Sequence, residues 1–230
     1  MRFERRQRRV RFMAALAILS LVAACSSRPA WEPDQHIVRS GETLYSIAWR
    51  YGENPADVAR WNRLGSGSLI HPGQVIFLSP PAGGVSQPPQ TTQRRTTKPL
   101  PKIPAQAPPP WAWPTKGRIN VAYGGKPGTG TGVLINGRPG QPIQAAASGR
   151  VVYAGSGLIG YGQLIIIKHN DTFLSAYGYN ASLLVKEGDK IRKGQRIATM
   201  GEGPERKARL HFEIRRNGNP VNPRQYLPAR

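Results

Sequence analysis

Residues 35–79 carry a regular hydrophobic pattern that predicts two short helices between two strands. The run LYSIAWRY, residues 44–51, repeats its apolar side chains at the spacing of one helix face, and a glycine follows it. Asn54 and Pro55 then supply a cap and a first-turn proline for a second helix that runs to Asn62. The strand candidates HIVRS and QVIFL stand at the two ends. The predicted order is therefore β-α-α-β.

Residues 111–230 lack long helical periodicity and predict short strands instead. The strand candidates are GRVVYAG, GQLIIIKH, TFLSAYGY, KIRKGQRIATM and RLHFEIRR. Trp111 and Trp113 precede them, and we expect both to anchor an N-terminal strand in the core. The spacing predicts a mainly antiparallel β domain, either a sandwich or an open barrel.

A proline-rich stretch separates these two segments. Residues 80–110 contain ten prolines and four basic residues but no acidic residue. Because proline fixes φ and removes a backbone donor, this composition is typical of an extended, semi-rigid linker. We therefore predict two folded parts, 35–79 and 111–230, joined by a spacer.

The N-terminus has the pattern of an export signal. The basic stretch MRFERRQRRVRF precedes the apolar run MAALAILSLVAA, which is shorter than the roughly 20 residues that span a bilayer. Cys25 is the only cysteine, so no internal disulfide can form. The residues before it resemble the lipobox of bacterial lipoproteins. This implies a signal peptide at 1–24, lipidation of Cys25 and a tether at 25–34. Because Ser26 and not Asp follows, it also implies an outer-membrane anchor facing the periplasm.

The charge balance indicates an anionic partner. The formal net charge is +21, from 33 Lys and Arg against 12 Asp and Glu. Residues 111–230 alone hold 18 basic and 6 acidic side chains, so the excess belongs to the folded part. The export signal argues against nucleic acid and favours peptidoglycan carboxylates or anionic lipids.

The first segment resembles the LysM module over its whole length, most specifically in VRSGETLYSIA and HPGQVI. The resemblance implies an α+β fold that binds N-acetylglucosamine-containing glycan, here peptidoglycan, in a shallow groove. The positions carried over as glycan-binding are Ser40, Gly41, Glu42, Thr43, Leu44, Leu69 and Ile70. Leu44 is explained equally well as a core residue, Glu42 and Thr43 could simply start a helix, and His71 is best explained as a turn residue.

The second segment resembles the lysostaphin/LytM-type peptidase domain from GQPIQAAASGRVVYAG to HFEIRRNGNPVNPRQYL. Active members carry H-x-G-x-D, Y-x-H and H-x-H, from which two His and the Asp bind zinc while the other His residues assist catalysis. Here these motifs are GTGVL, YGY and RLH, with Gly130, Leu134, Tyr179 and Arg209 at the substituted positions. Only His211 remains. A hydrolytic zinc needs about three protein ligands, so we predict no metal, no other cofactor and no peptidase activity.

Two other motifs lose their functional interpretation in context. GSGLIG, residues 155–160, matches G-x-G-x-x-G, but a strand pattern follows it where a dinucleotide fold needs a helix. His169 and Asp171 lie in the polar turn KHND. A turn explains both residues, so a relocated metal site there is disfavoured.

The substituted scaffold would keep a groove lined by Leu134, Tyr177, Tyr179, Arg209 and His211. Tyr and Arg are enriched at interface hot spots, so we expect a protein-binding surface, the alternative being a groove filled after neutral loss. The whole arrangement resembles bacterial lipoproteins that activate a zinc-dependent N-acetylmuramoyl-L-alanine amidase for cell separation. A zinc metalloendopeptidase that cleaves peptidoglycan crosslinks and a structural wall tether remain as alternatives.

Overall fold

The structure, a computed structural model, describes residues 34–65, 69–80, 105–127 and 129–229. The predicted signal peptide (1–24), Cys25 and most of the predicted linker lie outside these ranges. Within the described ranges, no helix is both long and apolar enough to cross a membrane.

The small module, residues 35–79, contains the predicted β-α-α-β order. Its elements are β1 (Gln35–Ile37), α1 (Leu44–Tyr51), α2 (Pro55–Trp61) and β2 (Val75–Phe77), with β1 antiparallel to β2. Helix α1 begins with a capping box, because Thr43 and Ser46 each accept a hydrogen bond from the other's backbone N–H. It ends at Gly52, whose φ of 74° is left-handed. The Asn54 side chain caps α2 by accepting a hydrogen bond from a backbone N–H.

The large domain is a mainly antiparallel β structure, which confirms the predicted fold class. Its strands are β3 (Ile119–Val121), β4 (Val133–Asn136), β5 (Pro142–Gln144), β6 (Gly149–Gly155), β7 (Gln163–Lys168), β8 (Phe173–Leu183), β9 (Lys190–Ile191), β10 (Arg196–Met200), β11 (Arg209–Arg216) and β12 (Asn219–Val221). Across the described residues, the sheet order is β3-β4-β11-β8-β7-β6-β9. Strand β10 pairs with β5 and β8, and β12 pairs with β11.

Three details differ from the sequence pattern. The run KIRKGQRIATM forms two strands, because residues 192–195 make a turn between β9 and β10. Trp111 is buried in the core but lies before β3, the first strand of the large domain. Trp113 is also outside any strand. The predicted linker includes residues 105–110, yet the backbone N–H of Gln106 donates a hydrogen bond to the hydroxyl of Thr172 at 2.7 Å.

The sheet buries apolar side chains on both faces. The main core lies on one face and includes Ile135, Ile165 and Phe212. On the other face, a second apolar cluster includes Leu164 and Ile166 of β7 together with Trp49 of α1. The small module therefore packs on the sheet and covers apolar surface that would otherwise meet water. The described residues from Gln35 to Ala229 accordingly form one compact unit.

Polar contacts accompany this packing. The buried Arg215 of β11 donates from Nη1 to the Trp49 carbonyl oxygen at 2.8 Å, and its guanidinium carbon lies 3.6 Å from the centre of the Trp49 ring. The carbonyl belongs to the last turn of α1, where a helix favours a cation. The Thr43 hydroxyl also donates to the Val152 carbonyl of β6 at 3.1 Å. These contacts orient the small module on the large domain.

Candidate functional sites

A buried carboxylate lies beside the only histidine that the peptidase motifs retain. Glu213 on β11 is 0% exposed, and four side chains surround its oxygens. These are the Thr131 hydroxyl at 2.7 Å, the Tyr161 hydroxyl at 3.2 Å, His211 Nε2 at 3.2 Å and Arg215 Nε at 2.7 Å. Burial alone would raise the pKa of the Glu213 carboxyl, but the His211 hydrogen bond and the Arg215 charge lower it below its usual value. The site is therefore a closed ion-pair network.

The residues at the motif positions do not fit a zinc ion. Gly130 and Leu134 have no side-chain ligand atom, and Arg209 adds a positive charge. The His211 ring packs edge-on to the Tyr179 ring, with their centroids 5.9 Å apart. In the part of the chain that the structure describes, no group of three or more His, Cys, Asp or Glu side chains could hold a metal. The zinc that the scaffold implies has too few ligands here.

The segment between β10 and β11 covers the motif residues. A Cβ at Gly203 would lie 2.9 Å from the Tyr179 ring, so this close approach depends on glycine. Glu205 accepts a hydrogen bond from Arg209 Nη2 at 3.1 Å. Glu205 and Arg206 have φ values of 62° and 54°, a left-handed conformation that costs each non-glycine residue on the order of 1 kcal/mol or more. The segment between β10 and β11 thus stores backbone strain while it covers the motif residues.

The structure brings four of the five predicted groove residues together but buries three of them. Leu134 pairs with His211 across β4 and β11, and both are nearly inaccessible. Arg209 is 2% exposed, and among the described residues its Nε and Nη1 atoms have no hydrogen-bond partner. Tyr179 is the member of this set with an accessible side chain. The groove is closed in this conformation.

Tyr177, the fifth predicted groove residue, lies in the core instead. Its ring packs on Phe212 while the Tyr179 ring packs on His211, and these two neighbours on β11 point to opposite faces. The cause is a bulge in β8 between Tyr177 and Asn180, where two residues oppose a single residue of β7. Burial raises the pKa of the Tyr177 hydroxyl to about 12. Tyr177 therefore offers no surface to a partner.

The predicted glycan-binding residues of the small module include one that is part of its core. Leu44 is 1% exposed and packs among the buried residues of α1 and α2, whereas Leu69 is 73% exposed. Ser40 and Gly41 lie exposed in the loop before α1, and Gly41 has a φ of 78° that favours glycine. The loop thus presents mainly backbone and small side chains.

Glu42 fixes the conformation of that loop. Its carboxylate lies 2.6 Å from His36 Nε2, accepts a hydrogen bond from the Arg39 backbone N–H at 2.9 Å, and pairs with Arg50. Burial alone would raise the pKa of the Glu42 carboxyl, but the hydrogen bonds with His36, Arg39 and Arg50 lower it. The carboxylate is therefore ionised and already engaged within the module.

The two turn histidines have structural partners or lie in solvent. His169 Nδ1 lies 2.8 Å from the Ser148 carbonyl oxygen, and its Nε2 lies 2.7 Å from the Ser175 hydroxyl. Burial lowers the pKa of His169 to about 4, so the ring is neutral at pH 7. Asp171 pairs with Lys168, and His71 is exposed in a turn. Both nitrogens of His169 are engaged, which leaves none to ligate a metal.

A set of charged residues near the predicted glycan groove has no signal in the sequence. Arg150, Lys168 and Glu187 of the large domain line the same cleft as Thr43 and Ile70 of the small module. They lie at strand ends and turns, where charged residues are ordinary. Only the docking of the two modules brings them opposite the small module's loops.

Comparison with known families agrees with this architecture. Residues 36–79 match the LysM domain, and residues 128–223 match peptidase family M23. The fold and site therefore define a class of protein in which a LysM domain is joined to an M23-type domain with substituted metal-ligand positions.

Similar proteins in bacteria identify the family within this class. The lipoprotein NlpD/LppB homolog of Pseudomonas aeruginosa is 38% identical over 270 aligned positions, which cover 93% of this chain and 90% of the relative. The uncharacterized lipoprotein YgeR of Escherichia coli is 35% identical with the same coverage of both chains, 93% and 90%. The murein hydrolase activator NlpD of Escherichia coli is 53% identical over 120 residues, 52% of this chain and 32% of the relative. The chain belongs to the NlpD/LppB family of LysM–M23 lipoproteins.

Proposed function

We propose that this protein is a non-catalytic, peptidoglycan-binding lipoprotein that activates a zinc-dependent N-acetylmuramoyl-L-alanine amidase. The observation that carries the proposal is the substituted motif set, in which Gly130, Leu134, Tyr179 and Arg209 occupy the ligand and catalytic positions of the active peptidases. The murein hydrolase activator NlpD, a relative at 53% identity over 120 residues, is named for a role of this kind. In this proposal, an M23-type domain with substituted zinc-ligand positions acts by binding a partner enzyme.

Tyr179 and Arg209 are the proposed contact residues for the amidase. Two guanidinium nitrogens of Arg209 have no partner among the described residues, and a buried unpaired donor costs roughly 1–3 kcal/mol. An acidic side chain of the amidase could pair with them if the segment that holds Glu205 moved aside. Moving the segment would also release the left-handed conformations at Glu205 and Arg206. The strain released would offset part of the free-energy cost of that movement.

Activation would follow from unequal affinity for two states of the amidase. A partner shifts a closed enzyme toward its open form only to the extent that it binds the open form more tightly. Each tenfold difference in affinity corresponds to about 1.4 kcal/mol. The groove would therefore fit an element that the amidase exposes only when open.

Anchoring would place this activity at the cell wall. Lipidated Cys25 would hold the chain at the outer membrane facing the periplasm, and the LysM residues Ser40 to Thr43, with Leu69 and Ile70, would bind peptidoglycan. Two attachments raise the local concentration of the activator without any new contact to the amidase. We expect the hydrolysis to serve cell separation.

The test is release of dye from labelled peptidoglycan by the purified mature chain, alone and with a periplasmic amidase. We expect no release alone and faster release with the amidase. Tyr179→Ala and Arg209→Ala should each reduce the stimulation roughly tenfold or more, as for interface anchors. Arg192→Ala, at an exposed arginine in the β9–β10 turn, is the matched control. Melting temperatures verify that each variant is folded.

Other outcomes identify the alternatives. Release by the chain alone that a chelator stops would identify a metallopeptidase with an unrecognised metal site. If the chain binds peptidoglycan but stimulates no amidase, it is a structural wall tether.

A further inference from the structure

A cleft of about 500 Å³ opens between the small module and the large domain. One wall contains five of the seven predicted glycan-binding residues, namely Glu42, Thr43, Leu44, Leu69 and Ile70. The opposite wall contains Arg150, Lys168 and Glu187. We propose that this cleft is one composite site for peptide-bearing glycan, in which the small module holds the sugar and the large domain holds the stem peptide. The inference rests on the proposed peptidoglycan binding and adds the peptide and the residues that recognise it.

The wall from the large domain carries charges of both signs. Arg150 is exposed, and its Nη1 donates to the Gly188 carbonyl oxygen at 2.8 Å, which holds the guanidinium beside the cleft. Lys168 Nζ lies 2.7 Å from Asp171 and 6.0 Å from the centre of the Tyr45 ring. A stem peptide carries free carboxylates that suit these two cations.

Glu187 supplies the complementary charge in the same wall. Burial raises the pKa of its carboxyl, although the hydrogen bond from the Ala154 backbone lowers it in part. A carboxylate that is partly removed from water gains when an ammonium group approaches it. Stem peptides that contain a diamino acid present such an amine. The wall therefore fits a zwitterionic peptide better than a simple anion.

The same charge mixture disfavours other anionic ligands. A phosphate of nucleic acid or of a lipid headgroup would meet Arg150 and Lys168, but it would also meet the carboxylate of Glu187 in the cleft. Like charges placed together cost affinity and exclude wrong partners. The chain as a whole is strongly basic, but this cleft contains negative as well as positive side chains.

Contacts outside the cleft hold its two walls at a fixed separation. Trp49 is 3% exposed and stacks on Arg215, while Arg50 Nη2 donates to the Gly157 carbonyl oxygen at 3.2 Å. The hydroxyl of Thr43, at the edge of the cleft itself, donates to the backbone of β6. A preorganised site loses less conformational freedom on binding than two separate modules would.

The test compares two soluble ligands by isothermal titration calorimetry on the mature chain. One ligand is a disaccharide tetrapeptide that contains a diamino acid, and the other is a peptide-free N-acetylglucosamine tetramer. Arg150→Ala and Lys168→Ala should each weaken binding of the first roughly tenfold and leave the second within about twofold. Glu187→Gln should also weaken the first ligand only. The matched control Arg192→Ala should change neither affinity.

Several results would overturn the composite site. Unchanged affinity for the tetrapeptide ligand in both the Arg150 and the Lys168 variants would do so. So would an equal loss for both ligands, because these cations would then act on the sugar groove alone. Tighter binding of the tetrapeptide ligand by the Glu187→Gln variant would indicate that the cleft recognises a simple anion and not a zwitterionic peptide. Titration with phosphatidylglycerol vesicles would then identify lipid phosphate as the ligand.

Amidase stimulation by the wild-type chain, measured in parallel, separates this inference from the proposed function. Stimulation together with normal tetrapeptide binding by the variants would overturn the composite site alone. Absence of stimulation together with a selective loss in the variants would overturn amidase activation alone.

Discussion

Replacing Glu213 by Gln would leave the buried Arg215 guanidinium without the carboxylate that neutralises it. Arg215 is 4% exposed, and its contacts with Trp49 involve a carbonyl and a ring but no formal negative charge. The amide has nearly the same shape as the carboxylate, so packing is conserved. An amide nitrogen replaces one acceptor oxygen, however, so that either Arg215 or the group containing Thr131 and His211 loses its acceptor.

The expected loss of unfolding free energy is about 3–5 kcal/mol, the range for breaking a buried ion pair by removing one partner. A lost hydrogen bond with a buried donor contributes roughly 1–3 kcal/mol of the same total. Because a domain is stable by only about 5–15 kcal/mol, the variant should lose a large share of its stability. Its melting temperature should fall by roughly 6–20 °C, at about 2–4 °C per kcal/mol for a folded unit of this size.

Urea unfolding followed by tryptophan fluorescence, at pH 7 and in acid, measures this difference. The folded state holds the pKa of Glu213 below its ordinary value of 4.5, so folding favours the ionised form. The stability that Glu213 contributes is therefore complete above about pH 4.5 and is lost as the pH falls through the lower folded-state pKa. The gap between wild type and Glu213→Gln should narrow in acid.

A loss below about 1 kcal/mol at pH 7, or a gap that widens in acid, would refute this account of the network. The double variant Glu213→Gln with Arg215→Met provides a second check, because it removes both charges. It should be more stable than Glu213→Gln alone, since no uncompensated charge stays buried.

Three further predictions concern stability. Gly132→Ala should cost about 1–3 kcal/mol, because a Cβ would lie 2.4 Å from the Phe212 carbonyl oxygen; thermal unfolding checks this, with the unhindered Gly65→Ala as control. Tyr177→Phe should cost roughly 1–3 kcal/mol in urea unfolding, because a buried backbone N–H loses its acceptor. Burial lowers the pKa of His169 to about 4, so proton NMR should find a neutral ring at pH 6. Because the unfolded state binds this proton first, stability should fall from about pH 6.5 toward pH 4, and His169→Gln should remove that slope.

The sequence by itself determined the local elements and their class. The helical spacing of 44–51, with a cap before it and a glycine after it, specifies α1 because both signals act within a few residues. The strands β6 and β11 match the predicted runs GRVVYAG and RLHFEIRR at both ends. The sequence also shows that the peptidase motifs are substituted. Whether a side chain has a ligand atom is a property of its residue type and needs no geometry.

Only the tertiary structure decided which side chains share a surface. Strict alternation places Tyr177 and Tyr179 on one face, but the bulge in β8 and the φ of 62° at Tyr179 put them on opposite faces. The contact of Trp49 with Arg215 joins positions that are 166 residues apart, and no local sequence pattern predicts it. That contact depends on the summed fit of two folded surfaces. The cleft and the Trp49–Arg215 contact therefore exist only once both modules have folded and docked, whereas the network around Glu213 needs only the tertiary fold of the large domain.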